Sequence, residues 1–323
     1  MWSRWSVLAF LLTVLVTLLC IRFYPAFAEE KNGFDLSNAV IPVELVLSGG
    51  PDKDGIPSID QPKFESAKTV NWLANNEQLL SLTIGSETRG YPLSILNWHE
   101  VVNDRFQERS VVISYCPLCG TGMAFSSTVK NQDLQFGVSG LLYNSDVLLY
   151  DRESMSLWSQ IMGQAISGPL VSEKLHLLPL KQVSWKVWKQ ENPNGQVLSR
   201  NTGFRRDYSK NPYEGYEKDG ELYFPITFRS HKYHPKQRVL GVEIGGEFKA
   251  YPFVELAKRG GNKVSDTFQG KSIQIEYDRE ANTGLVRDKS TGEVLSSVNA
   301  FWFAWYTFHP EGDIFTFTGD AQR

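Results

Sequence analysis

Cysteine is scarce in this chain. Its 323 residues hold three, Cys20, Cys116 and Cys119, too few for a disulfide scaffold. An excess of either charge is also missing. Lys+Arg 33 against Asp+Glu 36 leaves a net charge of -3, which gives no electrostatic footprint for nucleic acid. There is no glycine-rich phosphate loop at a strand–helix junction and no Gly-x-Ser-x-Gly elbow. No low-complexity linker marks separable domains, so one compact two-lobed body is expected. With 41% hydrophobic residues, a chain of this length buries a large core without staples.

The uncharged apolar run Val7–Ile21 follows Arg4 and precedes Pro25 and then Ala26-Phe27-Ala28. That order is the charged, apolar and cleavage-site pattern of a secretory signal peptide over residues 1–28. The run falls short of the about 20 residues a spanning helix needs. Cleavage after Ala28 and an extracytoplasmic location, periplasmic or secreted, are expected. Arg22 keeps a retained N-terminal anchor as the alternative, the one case in which a membrane is involved. Cleavage removes Cys20 and leaves Cys116 and Cys119 as an oxidisable pair in an exported protein.

Two stretches resemble each other. Ile84–Tyr115 aligns with Ile244–Tyr277, placing Tyr91-Pro92 on Tyr251-Pro252 and, after a two-residue insertion, Asp104 on Asp266 and Phe106-Gln107 on Phe268-Gln269. The reading is one strand-helix-strand module used twice, over about residues 82–126 and 242–288, within a single domain 29–323. The fold class expected is α+β, strand-rich and two-lobed, with this module internally duplicated. A strand-rich insertion spans about 129–238, with strands at Leu134–Ser139, Val147–Tyr150 and Ala165–Ser167 and a helix Trp185–Glu191 capped by Ser184. An early helix is expected over Lys63–Ala74, and Asn201–Gly220 reads as a surface loop. In the second stretch Asp278, Ala281 and Arg259 stand where the first has Cys116, Cys119 and His99. The unit therefore does not need the thiols to fold.

Cys116-Pro117-Leu118-Cys119-Gly120 is the strongest local signal. Three readings stay open. A redox pair wants a thiol of lowered pKa. A metal knuckle puts two thiolates on a tight turn and needs further ligands from His99, His231, His234, His309, Met123 or a carboxylate; with His or Met the set suits Cu(I) or Zn(II). An inert disulfide closing so short a loop contributes only about 2 kcal/mol. His99, in an expected helix Pro92–Val102, is the favoured neighbour of the sulfurs. Asp278 at the corresponding place in the second stretch argues that the thiols face a polar cleft, since a carboxylate is almost never buried alone.

The chain resembles a bacterial and archaeal family catalogued as domain of unknown function 3179. The resemblance is carried by Gly55-Ile56-Pro57-Ser58-Ile59-Asp60, Trp98-His99-Glu100, Tyr115-Cys116-Pro117-Leu118-Cys119-Gly120, Phe136-Gly137-Val138-Ser139-Gly140, Tyr150-Asp151-Arg152-Glu153, Leu157-Trp158-Ser159-Gln160 and Phe301-Trp302-Phe303. Leu149 stands where the family often has Met, so no thioether ligand is implied there. The family name implies no activity. The residues then lead to an exported protein with Cys116 and Cys119 as redox groups, or with Cys116, Cys119 and His99 holding Cu or Zn. Ser139, Asp151, Arg152, Trp158 and Gln160 are candidate pocket residues. The partner would be a small ligand or another exported protein, and the alternative is a non-catalytic binding or structural module with an incidental disulfide.

Overall fold

The computed structural model describes residues 29–319; the expected signal segment, with Val7–Ile21, Cys20 and Ala26-Phe27-Ala28, lies outside them. Strands outweigh helices by 42% to 11%, and five mainly antiparallel sheets of four or five strands, two of them with one parallel pair each, form a five-bladed β-propeller. This corrects the expected two-lobed α+β fold of strand-helix-strand modules. Among the described residues no helix is long and apolar enough to cross a membrane.

Each of the two similar stretches is divided between two blades. Gln78–Ile84 and Glu87–Pro92 are neighbours in one blade, whereas Val101–Phe106, Arg109–Cys116 and Thr121–Ser126 are neighbours in another. The helix Leu93–His99 between them joins the two blades. The second stretch repeats this order: Arg238–Ile244 and Glu247–Pro252, helix Phe253–Lys258, then Lys263–Phe268, Lys271–Asp278 and Thr283–Asp288 in a separate sheet. What looks like one unit along the sequence is two strands of one blade and three of another.

The landmarks shared by the two stretches do the same work in each. Tyr91 donates to Asp104 at 2.6 Å, and Tyr251 donates to Asp266 at 2.7 Å. Each carboxylate also takes a neighbouring cation, Arg89 at 2.6 Å or Lys249 at 2.8 Å. The half-buried ion pair and the phenol satisfy one another where an unpaired charge would be costly. Gln107 and Gln269 hold φ of 51° and 47° in the hairpin turns that follow.

The expected insertion supplies four of the five strands of one blade. Phe136–Tyr143, Asp146–Asp151, Leu157–Ser159 and Gln164–Ser167 pair in sequence, with Val46–Ser48 on the far edge. Its helix Trp185–Glu191 is capped by the Ser184 hydroxyl, which accepts from the Val187 N–H. The expected helix over Lys63–Ala74 does not form. Phe64–Ser66 is an edge strand against Gln196–Leu198, followed by turns. Ala67, Val70 and Leu73 are buried at a helix-like spacing, and that spacing is what misleads.

Between Gln196–Leu198 and Arg238–Ile244 the chain has no strand, only a short 3-10 turn at Tyr216–Lys218. This strap, residues 199–237, runs across the end of the blade that carries the cysteines. It matches the expected surface loop in lacking regular structure, but it buries Tyr216 at 3% exposure.

Candidate metal centre

Cys116 ends the strand Arg109–Cys116 and pairs with Thr121, so Pro117 to Gly120 form the turn. Gly120 takes φ 62°, which a residue without a Cβ adopts cheaply. The next blade anchors this turn: the Phe301 N–H donates to the Cys119 carbonyl at 2.8 Å, and Arg238 Nη1 donates to the Gly120 carbonyl at 2.8 Å.

A second hairpin meets it. Asn144 and Ser145, with φ of 54° and 64°, make a two-residue turn between Tyr143 and Asp146. The Ser145 carbonyl lies 3.3 Å from Cys119 Sγ and 4.0 Å from Cys116 Sγ. Cys116, Cys119 and Asp146 each bring one ligand atom to a group in which all lie within 4.8 Å of one another. Both cysteines are free thiols. The left-handed turn is held from the strap, where Thr227 donates twice to Asn144 Oδ1 and Ser145 Oγ donates to the Phe224 carbonyl.

The site is sealed. Cys116, Cys119 and Asp146 are 2%, 0% and 0% exposed, which corrects the expected polar cleft. Asp278 does lie half-buried, with Oδ1 accepting from two backbone N–H groups, and lines a cavity. At the corresponding end of the first stretch the strap closes over the thiols, packing Tyr213, Tyr216, Leu222 and Phe224 into the same cluster. The exposure of Asp278 is therefore not shared by the thiols.

Burial governs the electrostatics. It pushes Asp146 up to about 7, although Asp146 Oδ2 accepts from the Ile161 N–H at 3.0 Å. Asp146 Oδ1 is buried with no hydrogen-bond partner. Burial, with Cys116 and Asp146 adding to it, holds the Cys119 thiol well above its ordinary range. Glu100 is a further buried acid, pushed up to about 8 by burial and by the nearby charge of Asp146, with Tyr213 3.5 Å from Oε1. A cation placed among these groups would reverse each of these shifts.

His99 is not among the grouped ligands. Its Nδ1 meets the Pro57 carbonyl at 2.7 Å and its Nε2 meets the Tyr208 hydroxyl at 2.7 Å. Both nitrogens are engaged, and burial lowers its pKa. The next residue, Glu100, turns toward the site from a left-handed helix cap, φ 57°. His309 stacks on Phe248 and is tilted against Trp305, and His234 Nδ1 accepts from the Lys236 N–H.

The candidate pocket residues are tied into the fold. Ser139 donates to the Leu148 carbonyl, and Asp151 accepts from Trp158 Nε1 at 2.8 Å. Gln160 bridges Thr121 and Ser114, and Arg152 pairs with Asp54 and Asp60. They brace blades instead of lining the centre. Sequence reasoning missed Asp146 itself; the only local signal was the Asn-Ser hairpin that precedes it.

No curated protein and no solved structure matches the chain. Residues 53–312 match the family described as protein of unknown function (DUF3179). The chain, with its Cys-Pro-Leu-Cys turn inside the matched span, belongs to that family.

Proposed function

We propose that Cys116, Cys119 and Asp146 bind one thiophilic divalent ion, with zinc the best fit. The observation that carries this is Asp146 Oδ1, a buried oxygen with no partner, in a carboxylate grouped with two thiols. Two thiolates on a tetrahedral zinc stand about 3.8 Å apart, given Zn–S bonds of about 2.3 Å. The grouping within 4.8 Å therefore needs the sulfurs to close by no more than about 1 Å and the carboxylate oxygen by slightly more. The hard oxygen donor favours Zn(II) over Cu(I). Three protein donors leave a fourth position for water or a ligand.

Thiol–disulfide exchange fits less well. It needs an accessible thiolate, whereas these sulfurs are covered and Cys119 is pushed away from ionisation. We place the protein outside the cytoplasm on the pattern of residues 1–28, and a bound ion would protect the thiols from oxidation there. Metal analysis of protein purified without chelators tests the reading. One equivalent of zinc per chain, absent from the Cys116→Ser/Cys119→Ser variant, supports it; metal-free protein with two titratable thiols overturns it. N-terminal sequencing tests the location: a chain starting at Glu29 supports export, and an intact Met1 on membrane-bound protein supports the anchor.

A further inference from the structure

A cavity of about 590 Å³ opens beside the cysteine turn. Its wall near the turn is aromatic: Tyr115, Tyr213, Tyr216 and Phe301 line it, and Pro117 comes from between the two cysteines. Arg238 is set into this wall. Its side chain is 8% exposed, its guanidinium stacks 4.3 Å from the Phe301 ring, and Nη1 is spent on the Gly120 carbonyl. Its carboxylate partner is of another kind. Glu217 sits on the strap, is 52% exposed, and reaches in from the cavity's rim to meet Nε at 3.0 Å and Nη2 at 3.4 Å.

A buried arginine is built into the blade, and its counter-ion is on a segment without strands. We propose that this cavity binds a small monocarboxylate with an aromatic or apolar body, and that Glu217 occupies the carboxylate position until the ligand displaces it. The planar guanidinium fork matches a carboxylate in two-point fashion. The aromatic wall receives the body of the ligand, and the volume lies within the range of small-molecule sites. Elsewhere the lining carries the exposed cations Arg200, Lys210 and Lys218 against Glu77 and Glu214. Arg238 is the buried cation of this lining and the other three are solvated, so the anchoring charge is a single guanidinium that takes one carboxylate. None of this depends on metal binding.

The test is isothermal titration of the mature protein with benzoate, and with benzyl alcohol as its uncharged match. Glu217→Gln removes the competitor from an exposed position and leaves the core untouched. Its benzoate affinity should rise about fivefold over wild type, the scale of a partly exposed ion pair, with benzyl alcohol unchanged. Arg238→Lys, checked for folding by circular dichroism, should weaken benzoate. The proposal is overturned if Glu217→Gln leaves benzoate affinity unchanged, if both molecules gain equally, or if neither protein binds benzoate at tens of millimolar.

Discussion

The Asp146 carboxylate and the Cys119 thiol, from two different blades, meet within 4.8 Å in a space that excludes solvent. Burial disfavours the charged form of each, and the Ile161 N–H offsets only part of that at Asp146. Asp146→Asn keeps the shape and hydrogen-bonding size of the side chain while removing the charge that a cation would use. It should lower zinc affinity by at least about tenfold, the effect expected of losing one charged donor, and leave the melting temperature of the metal-free protein unchanged or raised. Competition with a chromophoric chelator and thermal melts read the two effects.

Glu100 gives a pH prediction. Its pKa is raised from 4.5 to about 8 in the fold, so the unfolded chain releases this proton first. The associated stability is full below about pH 4.5 and is lost as pH rises toward 8. Glu100→Gln should remove that loss, stabilising the metal-free protein at pH 8.5 by on the order of a few kcal/mol and not at pH 4. Urea melts at the two values check it.

His309 slopes the other way. Its pKa falls from 6.5 to about 4 because it is buried, stacked on Phe248 and packed against Trp305. The unfolded chain takes up the proton first, so stability is full above pH 6.5 and is lost as pH falls toward 4. The loss is on the order of 3 kcal/mol. A His309→Gln variant should lack this acid-side loss when melted between pH 7 and pH 4.

Gly120 separates strain from packing. A Cβ there would lie 2.7 Å from Arg238 Nη1 and 3.0 Å from the Phe301 ring, whereas at Gly85, φ 59°, nothing lies within 4 Å. Both alanine variants pay for a left-handed backbone, about 1–2 kcal/mol. Gly120→Ala should cost at least about 1 kcal/mol more, the scale of overpacking, as read by urea denaturation.

The sequence carried local features well. Ser184 capping its helix, the strands of the insertion and the cysteine turn were all readable, because caps, alternation and tight turns are set by neighbours in sequence. The blades were not. A seven-residue helix such as Leu93–His99 looks the same inside an α+β module as between two blades, and only long-range edges distinguish them. The parallel pairing of Gln196 and Val197 with Arg89 and Gly90 is one such edge. The site divides in the same way. Cys116 and Cys119 lie in one turn, so their spacing announces them. Asp146 comes from another blade as a single carboxylate in a hairpin, with no spacing to betray it. His99, nearer in the expected layout, spends both nitrogens on Pro57 and Tyr208.

Cobalt(II) titration of the reduced, metal-free protein tests the metal centre most directly, because thiolate coordination to cobalt has its own near-ultraviolet charge-transfer band. The account predicts saturation at one equivalent, a band with the intensity of two thiolates, tetrahedral visible transitions that weaken or shift in Asp146→Asn, and displacement by zinc. A titration with no charge-transfer band, or one unchanged in both Cys116→Ser and Asp146→Asn, would contradict it.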